Sequence, residues 1–597
     1  MTAPLNDVDP KAIAEEWIRG FTTAVAGRDS AAAAVLFQAD GWWRDLLIFG
    51  WDLRSVHGIE NIGMHLAEGP DHGQVRFFMP DEANLVEVGD DRWIQAVITI
   101  DSELARGRGV LRLTQTGDDT SWKAWTLLTA MEELVGYEES AGARRPRGGA
   151  QGADRMARNW QDARLAQQEF NDSEPQVLVI GAGHGGLGLA ARLGQVDVST
   201  LVIDRGERIG DNWRNRYRSL VLHDPVWYDH LPYLPFPPTW PIYTPKDKIG
   251  DWLEFYASTL ELNVWTGSEL VSSNYDDDDA VWTVTIRRAD GSERTVHPRH
   301  LVLATGASGT EPNMPTVPDA EKFTGTFCHS SGFTGGTDLR GKKATVVGSC
   351  NSGHDIAQEL HEQGADVTMI QRSPSYVVSV DASAIAMVGM YDETGPPTDT
   401  ADLLGASFPF KAVPHIHQAT TSAMAEADKD LLDGLRRSGF LLSTGIDGTG
   451  ALMLFLQKGG GYYINVGCSE LIAAGDIDIR AGVEIQRFTP HGVRLTDGTA
   501  LDADIVVFAT GFKGMLETAR HLLGDHVADR CGPVWGLDDE GELQGIWRKS
   551  GHPGLWFMGG NLAMARYYGK FLALQIKAIE EGIHPSAAAT QQITSAL

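Results

Sequence analysis

Two glycine-rich turns, each entered from an aliphatic run and left by a helix-like segment, constrain this chain more than any other feature. In the first, Gln176-Val177-Leu178-Val179-Ile180 feeds Gly181-Ala182-Gly183-His184-Gly185-Gly186, and Leu187 to Leu193 follows. A dinucleotide asks this of a backbone. Gly181 permits the tight turn, Gly183 lets the main chain approach a pyrophosphate, and Gly186 lets helix and strand pack closely. The pyrophosphate then sits on the unpaired N–H groups at the helix N-terminus. A second strand, Thr200 to Ile203, ends in Asp204, close to the ~20 residues downstream where an acid meets the ribose hydroxyls, with Arg205 beside it.

The second turn follows Lys343-Ala344-Thr345-Val346-Val347 and reads Gly348-Ser349-Cys350-Asn351-Ser352-Gly353-His354-Asp355, with Cys350 where the middle glycine is expected. The next strand, Asp366 to Ile370, ends in Gln371-Arg372-Ser373. A cation and a hydroxyl in place of an acid suit a 2′-phosphate, which favours NADPH over NADH. Two short segments, Leu303-Ala304-Thr305-Gly306 and Phe508-Ala509-Thr510-Gly511, end apolar strands with residues small enough to approach a cofactor. Near the C-terminus, Leu555 to Leu562 has strand–turn–helix order and offers Gly559 and Asn561 as further cofactor contacts.

These patterns predict an α/β fold with two Rossmann-like dinucleotide-binding domains. At 597 residues the chain exceeds one hydrophobic core. The expected order is a small α+β unit over 1–137, a linker and helix over 138–172, and the first nucleotide domain over 173–335. The second nucleotide domain follows over 336–500, with an insertion near 376–462, and a closing part of the first over 501–597. A net charge of −30 argues against nucleic acid and anionic lipid as partners. Cys328, Cys350, Cys468 and Cys531 form no close pair, so neither a disulfide framework nor a metal site is expected. No leader-like or membrane-spanning run is visible, and a cytoplasmic location is expected.

Between the two turns stands Phe323-Thr324-Gly325-Thr326-Phe327-Cys328-His329-Ser330-Ser331-Gly332-Phe333. It resembles the Phe-x-Gly-x-x-x-His-x-x-x-aromatic fingerprint of the flavin-containing monooxygenases and their Baeyer–Villiger relatives. Gly210-Asp211-Asn212-Trp213-Arg214, Leu220-Val221-Leu222-His223-Asp224-Pro225, Pro235-Phe236-Pro237 and Trp240-Pro241 are similar to the YUCCA branch of that superfamily. The resemblance spans 176–582. It implies FAD on the first turn, with Asn212, Trp213 and His223 near it, and NADPH on the second. It also implies a reaction with O2 through a flavin C4a-(hydro)peroxide that oxygenates a small organic substrate. N- or S-oxygenation and oxidative decarboxylation of a 2-oxo acid are both open.

His223, His329 and Asn351 are the candidate catalytic residues, and each histidine is open to a structural or a chemical role. Phe333-Thr334 departs from the usual ending of the Baeyer–Villiger fingerprint, which leaves ketone oxygenation as an alternative. A flavin-binding sensor or scaffold is the alternative from another class. A disulfide reductase would need a Cys-x-x-Cys pair beside the flavin, and the sequence has none. Gly41 to Leu46 and Trp51 to Gly58, together with the alternating runs at 93–100 and 122–128, resemble a SnoaL/NTF2-like cone through which a homodimer could form.

Overall fold

The computed structural model describes residues 9–70, 73–88, 91–115, 121–148, 159–306, 311–336 and 339–585. The N-terminal unit opens with a helix at Pro10–Ala26, where Asp9 accepts hydrogen bonds from the Lys11 and Ala12 amides, at 3.1 and 3.2 Å. Ala14, Trp17, Ile18, Phe21 and Val25 recur at helical spacing and are buried. They meet a seven-stranded sheet ordered Leu53–His57, Phe37–Leu46, Lys123–Leu134, Ala105–Thr114, Asp91–Asp101 and Arg76–Phe78, with Asn84–Val88 also paired to Asp91–Asp101. Because side chains alternate along a strand, Phe37–Leu46 sends Trp43 toward the helix, 5.5 Å from the Phe21 ring.

The neighbouring Arg44 projects to the other face of the sheet, which the rest of the chain covers. Arg44 makes a bidentate pair with Glu542, 2.7 Å on each arm, and bonds the Ala406 carbonyl at 2.6 Å and the Tyr568 hydroxyl at 3.0 Å. Arg54–Glu540 and Arg548–Asp52 flank it, and the Arg112 guanidinium lies 3.6 Å over the Phe408 ring. Arg44 and Glu542 are 1% and 2% exposed, so losing either partner would strand a buried charge at a cost of about 3–5 kcal/mol. A homodimer through the N-terminal unit would therefore have to use another surface.

Helix Trp160–Glu169 then leads into the first parallel sheet, ordered Val264–Trp265, Thr200–Ile203, Val177–Ile180, His300–Leu303 and Leu555–Phe557. Residues 153–158 of the expected helical segment lie outside the described residues. A second parallel sheet runs Thr326–His329, Ile505–Phe508, Lys343–Val347, Asp366–Gln371 and Asp478–Ala481. Two expected boundaries move. Thr326–His329, assigned by sequence to the first nucleotide domain, and Ile505–Phe508, assigned to its closing part, are neighbours in the second sheet. The apolar runs were legible, but their pairing depends on register partners about 180 residues apart.

The insertion is bracketed by the parallel pair Tyr376–Ser379 and Tyr462–Asn465 and carries helices Thr398–Ala406, Pro414–Ala427, Lys429–Arg437 and Gly450–Lys458. Its first long helix is locked to the C-terminal helix Leu562–Glu580 by a buried bidentate pair, Arg566 to Asp402, at 2.8 and 2.6 Å.

Candidate active site

At the first turn Gly181 has φ +112, and a Cβ there would lie 2.5 Å from the Ala304 carbonyl oxygen. A Cβ on Gly186 would lie 2.0 Å from the Gly181 oxygen. Both contacts are far inside van der Waals distance, so only glycine lets the turn, the helix His184–Gln195 and the Ala304-Thr305-Gly306 crossing nest together. Gly183 is different: its backbone is extended, and its nearest neighbour, Asn212 Nδ2, would stand 3.4 Å from an added Cβ. The Asp204 carboxylate sits at the end of its strand against this turn. It accepts from the Ala182 and Gly206 amides, both at 2.7 Å. Arg205 is exposed beside it.

The resulting cradle fits a dinucleotide. Thr305 Oγ1 and Trp213 Nε1 are buried at its rim with no partner among the described residues, an arrangement that a bound polar ligand would relieve. Gly306 turns with φ +95. The closing strand brings Gly559 against the turn, where it would stand 3.9 Å from a Cβ on Gly185. Asn561 caps the C-terminal helix through the Met564 amide at 2.9 Å and reaches the Tyr228 hydroxyl at 3.3 Å. His184 Nε2 holds the Gly560 carbonyl at 3.0 Å, and burial pushes its pKa below the ordinary histidine value.

The second turn repeats the design. Gly348 has φ +121, its Cβ would meet the Ala509 oxygen at 2.4 Å, and that of Gly353 would meet the Gly348 oxygen at 2.1 Å. Cys350, at the middle position, has φ −107 and ψ −171, extended backbone open to any residue. The Ser349 hydroxyl pairs with that of Ser375 at 2.8 Å. Arg372 and Ser373 stand exposed at the end of the neighbouring strand. Arg372 makes one loose surface pair with Glu484 at 3.4 Å, an interaction worth little and easily exchanged for a phosphate. Asn351, expected at the chemistry, instead accepts from the Ile464 amide at 3.0 Å and ties the turn to the return strand of the insertion. The Thr510 hydroxyl donates to the Asn313 carbonyl at 2.7 Å, so unlike Thr305 it is already engaged.

His329 is held on both ring nitrogens. Nδ1 accepts from the Ser331 amide at 3.2 Å, and Nε2 donates to the Gly511 carbonyl at 2.8 Å. Burial lowers its pKa, so the neutral ring joins the fingerprint strand to the Thr510-Gly511 crossing, a structural geometry. His223 has a freer setting. Its Nε2 lies 3.6 Å from Asp355 Oδ2, and among the described residues its Nδ1 carries no protein hydrogen bond.

Sequence reasoning missed the groups around His223. Asp355 and Glu359 lie one turn apart on helix Asn351–Glu362. Asp355 accepts from the Tyr217 hydroxyl at 2.6 Å, and Glu359 from the Ser219 amide and hydroxyl at 3.0 and 2.6 Å. Asp224 and Asp229 are both pushed up, first by burial, and neither Asp229 oxygen has a partner among the described residues. Acids four residues apart on a helix that is otherwise amphipathic were the one available signal. A cleft of about 390 Å3, lined by Gln176, Ser199, Thr200 and Asn263, opens at the other ends of the first sheet's strands, away from both turns.

Comparisons with known proteins agree with this geometry. A family model described as pyridine nucleotide-disulphide oxidoreductase matches residues 175–391. All four cysteines here are free thiols, so the match reflects the two-nucleotide architecture rather than disulfide chemistry. The indole-3-pyruvate monooxygenase YUCCA1 of Oryza sativa subsp. japonica is 30% identical over 365 residues, covering 61% of this chain and 83% of that protein. The probable indole-3-pyruvate monooxygenase YUCCA4 of Arabidopsis thaliana is 28% identical over 340 residues, covering 57% and 76%. The closed crystal structure of cyclohexanone monooxygenase shares the fold, with TM-score 0.50 and 19% identity over 68% of this chain and 84% of that one. So does the OTEMO complex with FAD and NADP, with TM-score 0.50 and 18% identity over 70% and 89%. The chain thus belongs to the flavin monooxygenase family that includes the YUCCA enzymes, and is an FAD-dependent monooxygenase that uses NADPH.

Proposed function

We propose that this chain oxygenates a small 2-oxo acid with loss of its carboxyl group, using O2 and NADPH. The observation that carries the redox part is the pair of carbonyl-backed glycine cradles, Gly181–Ala304 and Gly348–Ala509, joined through Tyr217 and Asp355. The 2-oxo acid follows from the relatives named indole-3-pyruvate monooxygenases.

In this reading Gly181, Gly183, Gly186, Asp204 and Thr305 hold FAD, while Gly348, Ser349, Ser352, Gly353 and Arg372 hold NADPH. The flavin supplies hydride acceptance and O2 activation when bound. The protein's share is orientation and exclusion of water. Arg566 and Asp402 fasten the insertion to the C-terminal helix, and Arg566 also holds the Tyr228 and His230 carbonyls, a closure that would help to keep water from a flavin bound there. Tyr391, whose hydroxyl donates to Asp402 at 2.9 Å, stacks edge-on against Tyr228 at 4.9 Å and lends the substrate side an aromatic wall. His329, as a neutral link, ties the fingerprint strand to the crossing that follows its neighbour in the second sheet, and His223 is the group left free to exchange a proton near the flavin. The four free cysteines fit a reducing compartment such as the cytoplasm.

The purified protein is expected to be yellow and to consume NADPH faster when an aryl 2-oxo acid is added, releasing CO2 and the acid one carbon shorter in equal amounts. Preferential turnover of sulfides or amines to their oxides would replace this substrate assignment, and esters from ketones would favour Baeyer–Villiger chemistry. Protein that could not be loaded with FAD would refute the reading as a whole.

A further inference from the structure

The flavin-side segment from Tyr217 to His223 lies along one face of the helix Asn351–Glu362, which begins at the second glycine turn. Asp355, on the second turn of that helix, is 7% exposed, and Tyr217 is 1% exposed. A single carboxylate oxygen, Oδ2, takes the Tyr217 hydroxyl at 2.6 Å and faces His223 Nε2 at 3.6 Å, while Oδ1 has no partner among the described residues. The helix that begins at the turn assigned to NADPH therefore presents one carboxylate to both a tyrosine and a histidine on the flavin side.

We propose that Asp355 is a positioning residue for His223, and that Tyr217 competes with His223 for the same carboxylate oxygen, so that the proton-holding strength of the histidine is set from the nicotinamide domain. The inference rests on the reading above that places His223 near the flavin.

The sharing of one oxygen sets the direction of each effect. With Nε2–H turned toward Asp355, the neutral ring leaves Nδ1 as its proton acceptor. Once protonated, the imidazolium gains from the adjacent carboxylate, and its 3.6 Å contact can shorten into a charge-assisted hydrogen bond. A strong Tyr217 hydrogen bond drains charge from that oxygen and weakens the pull. The other titratable groups at this place are Asp224, next in the chain to His223, and Arg216 beside Tyr217. With them are His354, stacked on Tyr463 at 3.8 Å, the Tyr463 ring itself, 6.4 Å from His223, and the buried Cys468. Burial holds Tyr217 well above the ordinary tyrosine value, so it acts as a donor throughout the working range.

The test is an NMR titration of histidine-labelled, FAD-loaded protein, with the His223 signal identified by its loss in His223→Gln. Asp355→Asn is expected to move the His223 midpoint down. Tyr217→Phe, which keeps the ring and removes only the hydroxyl, is expected to move it up. The pH dependence of flavin reduction by NADPH, followed by rapid mixing, should shift with each midpoint while the NADPH concentration for half-saturation stays within about twofold. Shifts of the same sign in both variants, or no shift in either, overturn the proposal. If Asp355→Asn does not fold, the upward shift in Tyr217→Phe decides alone. A wild-type protein that binds no FAD would instead defeat the flavin reading, so the two failures are distinguishable.

Discussion

The two glycine turns solve the same steric problem with different sequences, and the difference shows which positions the fold needs. In both, a Cβ added to the first glycine would meet an alanine carbonyl oxygen, at 2.5 Å for Gly181 and 2.4 Å for Gly348, and one added to the last would meet the carbonyl oxygen of the first, at 2.0 Å for Gly186 and 2.1 Å for Gly353. The middle residue is extended in both, glycine in one and Cys350 in the other. The sequence pattern treats all three glycines as equal. In the structure the outer two are required by the protein itself, whereas the middle one answers only to whatever ligand approaches it.

The sharpest way to break this comparison is to add one carbon at its tightest points. Gly186→Ala and Gly353→Ala each place a Cβ about 2 Å from a carbonyl oxygen and are expected to cost roughly 3–5 kcal/mol, read by denaturant unfolding. Gly186→Ala should be isolated without flavin. Gly353→Ala should stay yellow while losing reduction by NADPH, and equal loss of flavin from both would mean the two cradles are not separable.

Acid should act on the second turn next. His354, which follows Gly353, is fully buried, and burial lowers its pKa to about 4. Its neutral form belongs to the folded state, so its contribution is complete above the ordinary histidine value near 6.5 and is lost as pH falls from there toward 4. Roughly 3 kcal/mol should go over that window. His354→Phe should flatten the pH dependence of unfolding, and an unchanged slope would assign the acid sensitivity elsewhere.

A smaller effect distinguishes the nucleotides. Arg372→Ala should raise the NADPH concentration for half-saturation about tenfold, the worth of one charge-assisted contact to a phosphate, and leave NADH nearly unchanged. Equal losses with both would contradict the 2′-phosphate assignment. The smallest expected change is at the middle position. Gly183→Ala should alter stability by less than about 1 kcal/mol, since the nearest neighbour is 3.4 Å from the added carbon, yet weaken FAD retention if the flavin pyrophosphate approaches there.

What could be read from the chain followed from local chemistry. The strands before Gly181 and Gly348, the turns, the acid at Asp204 against the cation at Arg372, and the fingerprint ending at Phe333 each depend on residues close in sequence, where spacing carries the signal. The helix at Pro10–Ala26 and the strands Asp91–Asp101 and Lys123–Leu134 were legible for the same reason, through their periods.

Tertiary structure alone decided the rest. Which sheet takes Thr326–His329 and Ile505–Phe508, the docking of Arg44 on Glu542, and the meeting of His223 with Asp355 all join groups more than a hundred residues apart. A lone arginine, glutamate or aspartate in a sequence looks like a solvated surface group, and its partner becomes visible only when packing removes the water from both. Periodicity records which face of an element is apolar, but not which distant face will cover it.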